Sequence, residues 1–284
     1  MSVTGGAAGG AGAAAWPRWT GANLVRGARA LVRPPRAKAK PLVSADRRLV
    51  AAAALAALLV IAAVMLLADG AVAEAVKRSP GWILAAFDFA TEFGKSGWFL
   101  GPLGAILVAI AALASPALAP VHRLVLAAVA VRAGFLFTAI AAPSLCSTVI
   151  KRVVGRARPF VSEQADPFLY LPMIWRAAYA SMPSGHATTA FAAAVAVGLL
   201  WPRLRVPMLL YAVVIAASRV VLDAHYVSDV IAGAILGSIG ALLVRDWFAA
   251  RRLGFAVGAD GTVRALPGPA WPRLKRVAGR LTAP

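Results

Sequence analysis

The chain has 284 residues, of which 61% are hydrophobic and 14% are charged, and its formal net charge is +19. Soluble domains are closer to one half apolar and one quarter charged, so this composition excludes an ordinary soluble fold and predicts a helical membrane protein. A single cysteine, Cys146, excludes a framework of intrachain disulfides.

The positive charge lies mostly near the two ends of the sequence. In a soluble protein a charge of this size would favour nucleic acid as the partner. Here the basic residues flank apolar segments, which favours anionic lipid headgroups as the partners of the basic ends. We therefore expect no nucleic acid partner. Residues 1–48 have no apolar periodicity long enough to form a core, so we expect a basic, largely disordered cytoplasmic arm.

Six apolar segments follow, each close to the length that crosses a bilayer. The predicted spans are 49–68, 98–113, 133–150, 184–201, 206–222 and 226–244. A shorter apolar stretch at 82–87 is expected to lie at the interface, with Trp82 and Trp98 at headgroup level. The predicted fold class is all-α, a polytopic bundle of six transmembrane helices within residues 49–247.

Residues 248–284 are expected to form a basic cytoplasmic tail. Within it, Asp260-Gly261 is typical of a hairpin turn, and residues 271–281 are typical of a basic amphipathic segment on the membrane surface.

An even number of spans places both termini on the same side. Twenty lysines and arginines fall on that side and nine on the other, so the positive-inside rule predicts that both termini lie in the cytoplasm. We expect the protein to be integral to the inner (cell) membrane. The loop at 151–182 and the short turn at 223–225 then face the periplasm or exterior. Three short polar motifs attach to these loops: Lys-x6-Arg-Pro at 151–159, Pro-Ser-Gly-His at 183–186 and Ser-Arg-x5-His-x3-Asp at 218–229. We therefore expect one site at the outer membrane–water interface.

Three cations bracket the proposed site: Lys151, Arg158 and Arg219. Cations at membrane depth are costly, about 2.5–3.5 kcal/mol each, and three together also repel one another. An anion would stabilise such a cluster, and the planar guanidinium of arginine suits a phosphoryl group. Each residue alone could instead be an interfacial side chain that reaches to water.

The second motif, Pro183-Ser184-Gly185-His186, is placed at the start of the fourth span. A helix N-terminus presents unpaired N–H groups to an anion, and the Ser184 hydroxyl adds a further donor. Gly185 allows the backbone to come close to a ligand oxygen.

The third motif contains His225 and Asp229, which are four residues apart and share one face of a helix. A carboxylate near one ring nitrogen fixes the tautomer and leaves the other nitrogen with a lone pair. That arrangement suits an activated nucleophile or base. With His186, it predicts phosphoryl transfer in which one histidine attacks phosphorus and the other handles the proton. No group of residues has metal-ligand spacing, so we expect no metal and no cofactor.

Together the three motifs resemble those of the type 2 phosphatidic acid phosphatase family, which includes integral-membrane lipid phosphatases. The resemblance covers residues 151–229 by motif and about 49–247 by layout. It implies that His225 is the nucleophile, that Asp229 orients it, and that His186 acts first as general acid and then as base. The implied phosphate-binding residues are Lys151, Arg158, Ser184, Gly185 and Arg219. Arg152, Arg156 and Arg176 fall on variable positions of the pattern.

The leading hypothesis is a metal-independent phosphatase acting on a lipid phosphate through a phosphohistidine. Undecaprenyl pyrophosphate, phosphatidic acid, phosphatidylglycerophosphate and lipid A all remain open as substrates. The alternatives are a lipid phosphotransferase with the same residues, a vanadate-dependent haloperoxidase, which the apolar spans disfavour, and an inert lipid-binding protein.

Overall fold

The computed structural model describes residues 16–36 and 47–282, which are mostly helical. The helices are α1 (Trp16–Val32), α2 (Arg47–Leu67), α3 (Asp69–Val76), α4 (Gly81–Glu92), α5 (Gly97–Leu113), α6 (Pro120–Val154), α7 (Gly185–Leu200), α8 (Arg205–Val221), α9 (Val227–Ala250) and α10 (Trp271–Thr282). Strands β1 (Phe255–Val257) and β2 (Val263–Ala265) form an antiparallel hairpin.

Within the described ranges, five segments are long and apolar enough to cross a membrane. They are Arg48–Leu67, Gly81–Leu113, Pro120–Val154, Pro202–Val221 and Val227–Ala250. The predicted class of helical membrane protein is confirmed. Helix α7 is also apolar, but its 16 residues fall short of the roughly 20 that span a bilayer. The count of six spans therefore stays a prediction.

Residues 16–32 form helix α1, although the sequence predicts disorder for most of the N-terminal arm. The indole of Trp19 donates to the carbonyl of Ala112 (2.8 Å), and the Asn23 amide donates to the carbonyls of Ala111 and Ala114. These acceptors lie at the C-terminal end of α5, where carbonyls lack helical partners. Helix α1 thus caps α5. Most of the rest of the arm lies outside the described residues.

Helix α7 lies at the centre of the bundle and contacts α6, α8 and α9. The approach of α9 is close, since a Cβ on Gly237 would lie 2.2 Å from the carbonyl oxygen of Thr188. A Cβ on Gly233 would lie 2.5 Å from the carbonyl oxygen of Ser184. Small residues let two helix backbones meet in this way, and here they fix the first turn of α7 against α9.

The chain direction alternates from α6 to α9, so four helix ends meet on one side of the bundle. Helices α6 and α8 end there, and helices α7 and α9 begin there. All three polar motifs attach to these ends.

The opposite side is closed by the C-terminal tail. The Phe255 ring of β1 packs edge-on against Phe135 of α6, with ring centroids 4.8 Å apart. The predicted hairpin is present, with Gly261 at positive φ in its turn. The predicted amphipathic segment is helix α10, whose Val277 is buried against α6.

Candidate active site

The residues predicted from the motifs lie at the shared end of α6 to α9. At the end of α6, Lys151 lies in the last turn and Arg158 follows the helix. At the start of α7, Ser184 immediately precedes the helix, and Gly185 and His186 are its first residues. Arg219 lies in the last turn of α8, His225 precedes α9, and Asp229 lies in the first turn of α9.

Backbone contacts join the three motifs directly. The Ser184 N–H donates to the carbonyl of Asp229 at 2.9 Å, and the His225 N–H donates to the carbonyl of Arg219 at 3.1 Å. The Lys151 ammonium lies over the start of α7, only 3.2 Å from where a Cβ on Gly185 would be. The structure therefore brings the predicted residues together.

Several buried polar atoms of this cluster have no hydrogen-bond partner within residues 16–36 and 47–282. They are Nε of Arg158, Oγ of Ser184, Nε2 of His186 and Nε of Arg219. Buried polar groups in proteins are nearly always paired. Arginine and serine can donate to the same anion, so the cluster fits a ligand with several oxygen atoms, such as a phosphoryl group.

The cations of the site repel one another. Lys151 interacts electrostatically with Arg158 and Arg219. The guanidinium of Arg219 also donates through Nη1 to Thr91 Oγ1 at 2.7 Å. Thr91 belongs to α4, so this short helix orients one phosphate-binding candidate.

His225 is 3% exposed, and its environment fixes the ring tautomer. Its Nδ1 is 3.7 Å from Asp229 Oδ2, which is too far for a hydrogen bond. Ser181 lies between them, because its Oγ is 3.4 Å from His225 Nδ1 and donates to Asp229 Oδ2 at 2.5 Å. The serine hydroxyl has one proton, so His225 Nδ1 must be the donor to Ser181. The Nε2 atom then carries the lone pair.

Asp229 is held in place by three donors. Its Oδ2 accepts from Ser181 and from the backbone N–H of Tyr226 at 2.9 Å, while its Oδ1 accepts from Arg156 Nη1 at 2.6 Å. The Tyr226 contact satisfies one of the free N–H groups at the start of α9. The carboxylate therefore has little freedom to rotate.

Arg156 is the largest fully buried side chain of the described residues. Its Nη2 forms an ion pair with Asp69 at 2.9 Å, its Nε donates to the carbonyl of Pro167, and its guanidinium lies 4.4 Å from the centroid of the Tyr226 ring. It thus links two buried carboxylates, Asp69 and Asp229, through one cation.

Ser228 completes this buried network. Its hydroxyl accepts from Arg156 Nη1 at 2.7 Å and donates to Asp69, which also accepts from the Ser228 N–H at 3.0 Å. The network ties the first residue of α3 and the loop after α6 to the first turn of α9. It supports Asp229 through Oδ1, whereas Ser181 and His225 lie by Oδ2.

Burial lowers the pKa of His225 to about 4. The charges of Arg158 and Arg219 act in the same direction, whereas Asp229 opposes them. At neutral pH the ring is therefore neutral, which is the state that a nucleophile requires.

Sequence patterns do not identify four residues of the buried network around His225 and Asp229: Arg156, Ser181, Ser228 and Asp69. Arg156 lies at a variable position of the resembling pattern, and Ser181 and Ser228 have no local signal. Asp69 did carry a signal, since a carboxylate directly after an apolar span is costly unless it has a partner.

The PAP2 superfamily profile matches residues 132–253. The lipid A 1-phosphatase of Rhizobium etli is 38% identical over 143 residues, which are 50% of this chain and 58% of that protein. The lipid A 4'-phosphatase of Bacteroides thetaiotaomicron is 31% identical over 126 residues, or 43% and 55% of the two chains. This chain thus spans a little over half the length of these curated relatives.

Among solved structures, a transmembrane PAP2 type phosphatidylglycerolphosphate phosphatase from Bacillus subtilis is 22% identical. It superposes with a TM-score of 0.49, covering 67% of this chain and 90% of that one.

Proposed function

We propose, from the match of residues 132–253 to the PAP2 superfamily profile, that this chain is a membrane-embedded phosphatase acting on the phosphorylated head of a lipid. The supporting observation is the set of buried, unpartnered polar atoms on Arg158, Ser184, His186 and Arg219 beside a neutral His225. A phosphoryl group would satisfy these atoms and place phosphorus near the nucleophile.

In the proposed reaction, Nε2 of His225 attacks phosphorus and the bond to the leaving lipid oxygen breaks. The negative phosphoryl oxygens of the bound substrate favour the imidazolium form of His186, which takes its proton from solvent, and its Nε2 then gives that proton to the leaving oxygen. Water then attacks the phosphohistidine, His186 takes a proton from the water, and the P–N bond breaks to release inorganic phosphate. Lys151, Arg158, Arg219, Ser184 and the Gly185 N–H hold the phosphoryl oxygens throughout.

Asp229 and Ser181 have a positioning role in this proposal. They hold the proton on Nδ1 of His225, so the lone pair on Nε2 points toward the substrate. As Nε2 forms its bond to phosphorus the ring becomes positive, and the nearby Asp229 carboxylate stabilises that charge. The reaction needs no metal ion.

The substrate we propose first is a lipid A-type glycolipid monophosphate, in line with the curated relatives. A feature outside the fixed positions of the motifs supports a headgroup larger than one phosphate. Arg152, next to Lys151, has buried Nε and Nη1 atoms without a partner in the described residues, and its guanidinium lies 5.5 Å from the ring of Trp175. Trp175 is 79% exposed, so it offers a flat surface for a sugar ring beside an extra cation.

We further propose that both termini are cytoplasmic and that this site faces the periplasm or exterior, as the charge distribution favours.

Phosphate release by the detergent-purified protein tests the function. The substrates are lipid A, phosphatidic acid, phosphatidylglycerophosphate and undecaprenyl pyrophosphate, without added metal. His225→Ala is the loss variant, and His122→Ala is the matched control because His122 lies at the other end of α6.

We expect release from lipid A that His225→Ala abolishes and His122→Ala leaves unchanged. Equal rates in His225→Ala and the wild type would refute the assignment. Loss of substrate without free phosphate, with a phosphorylated acceptor lipid appearing instead, would show phosphotransfer.

A further inference from the structure

A cavity of about 730 Å³ lies at the end of the bundle opposite to the phosphate-binding residues. Arg132, which lines it, precedes Lys151 by 19 residues on the same helix, or about 28 Å at 1.5 Å per residue. This distance is close to the roughly 30 Å thickness of the bilayer hydrocarbon. The cavity therefore lies near the other membrane interface, well separated from the proposed active site.

The lining of this cavity has two chemically different parts. One wall is apolar and is formed by side chains of α5, α6 and α7, among them Leu103, Ile106, Leu136 and Leu199. The other part comes from the start of α8 and from the segment at and after β2. Among the described residues that line the cavity, the charged ones are all arginines: Arg132, Arg205 and Arg264.

The three arginines differ in how many hydrogen bonds their guanidinium groups make to the protein. Arg132 donates to the carbonyls of Ala128, Leu266 and Pro267, so it holds the tail against α6. Arg205 uses only Nε, in a 3.1 Å bond to the carbonyl of Gly198. Within residues 16–36 and 47–282, the terminal nitrogens of Arg205 and the whole guanidinium of Arg264 make no hydrogen bond or ion pair.

The surroundings of the cavity also suit a lipid headgroup. Trp201, which lines it, is 44% exposed, as expected for an aromatic residue at headgroup level. Helix α10 contributes Leu274 to the lining and presents Arg273, Lys275 and Arg276 on its exposed side. The charged side chains that line the cavity are therefore cationic, Asp260 of the hairpin interacts electrostatically with Arg264 from outside the lining, and the apolar wall offers leucine and isoleucine.

We propose that this cavity binds one anionic glycerophospholipid of the surrounding leaflet, with its phosphate between Arg205 and Arg264 and an acyl chain along the apolar wall. The two arginines supply free donors for charge-assisted hydrogen bonds to phosphate oxygens. Basic pockets between transmembrane helices recognise anionic headgroups by the same chemistry. No histidine lines the cavity among the described residues, so we assign it lipid binding and no turnover.

Native mass spectrometry of the full chain tests the site directly. The protein in detergent is mixed with equal amounts of phosphatidylglycerol and phosphatidylcholine with identical acyl chains. The detergent is then removed in the spectrometer, and the lipid that stays bound is identified by mass. Phosphatidylglycerol is a phosphodiester, so the proposed phosphatase site has no monoester to remove from it. The test variant is Arg205→Gln with Arg264→Gln. The control is Arg26→Gln with Arg29→Gln, which removes the same charge from exposed positions of α1 that do not line the cavity.

We expect the wild type and the control to retain one phosphatidylglycerol in preference to phosphatidylcholine, and the test variant to retain at least tenfold less. Ile106→Trp, which fills the apolar wall and leaves the arginines intact, should lower retention as well. The proposal is overturned if the wild type retains no phospholipid, if it retains both lipids equally, or if the two double variants behave alike. None of these outcomes depends on phosphatase activity.

Discussion

Replacing Arg156 by methionine tests the buried network that supports Asp229. Arg156 neutralises two fully buried carboxylates, Asp69 and Asp229, through contacts of 2.9 and 2.6 Å. Methionine has a similar length and no charge, so the variant leaves both carboxylates buried without their cation. Removing one partner of a buried ion pair costs about 3–5 kcal/mol, and we expect a loss near the upper end of that range because two pairs are lost.

A second substitution separates the charge effect from the loss of packing. Asp69→Asn in the Arg156→Met background removes one of the two unpaired carboxylates. Asp229 still keeps its bonds from Ser181 and the Tyr226 N–H. We therefore expect the double variant to be more stable than the sum of the single changes predicts, by about 1–3 kcal/mol.

The assay is reversible unfolding by SDS in mixed micelles, with activity measured in parallel. Arg176→Met is the matched control, because Arg176 is an exposed arginine of the same loop and should change stability by less than about 0.5 kcal/mol. The reasoning would be refuted if Arg156→Met were as stable as this control, or if the effects of Arg156→Met and Asp69→Asn were simply additive.

Three further predictions concern the reaction. Ser181→Ala removes the group between His225 and Asp229, and it should lower kcat about a hundredfold with little change in KM; an unchanged kcat would show that Ser181 has no positioning role. Nitrogen-15 NMR of histidine-labelled protein should show His225 neutral from pH 8 down to about pH 5, since its pKa is lowered to about 4. In the unfolded chain the histidine pKa is near 6.5, so between pH 6.5 and pH 4 the unfolded state binds more protons than the folded state. The contribution of His225 to the free energy of unfolding therefore falls as the pH falls from 6.5 to 4. An NMR titration midpoint near 6.5 in the folded protein would show that burial does not lower the pKa of His225. Phosphate release should be unchanged by EDTA, and a loss that added divalent metal restores would contradict the metal-independent mechanism.

The sequence predicts the membrane class and the convergence of the motifs because both depend on local patterns. Apolar length identifies the spans, and alternation of direction places Lys151, His186 and Arg219 at one end of the bundle. The close packing of α7 on α9 follows from Gly233 and Gly237, but these glycines gain that meaning only when the partner backbone is known.

Contacts between distant segments could not be predicted in the same way. Arg156 pairs with Asp69 and Asp229, which lie on two helices far away in sequence. Helix α1 is ordered by Trp19 and Asn23 capping the end of α5, which no pattern within residues 1–48 indicates. Tertiary contacts therefore order residues 16–32, for which composition alone predicts disorder.

The proposed reaction depends on a covalent bond between His225 and phosphorus. It is tested most directly by mixing the purified protein with lipid A carrying labelled phosphate, quenching within milliseconds in alkali, and analysing the protein by peptide mass spectrometry. We expect label on His225 that is stable in alkali and lost in acid, and no label in His225→Ala. Phosphate release at the normal rate with no label on the protein, or label that persists in His225→Ala, would contradict it.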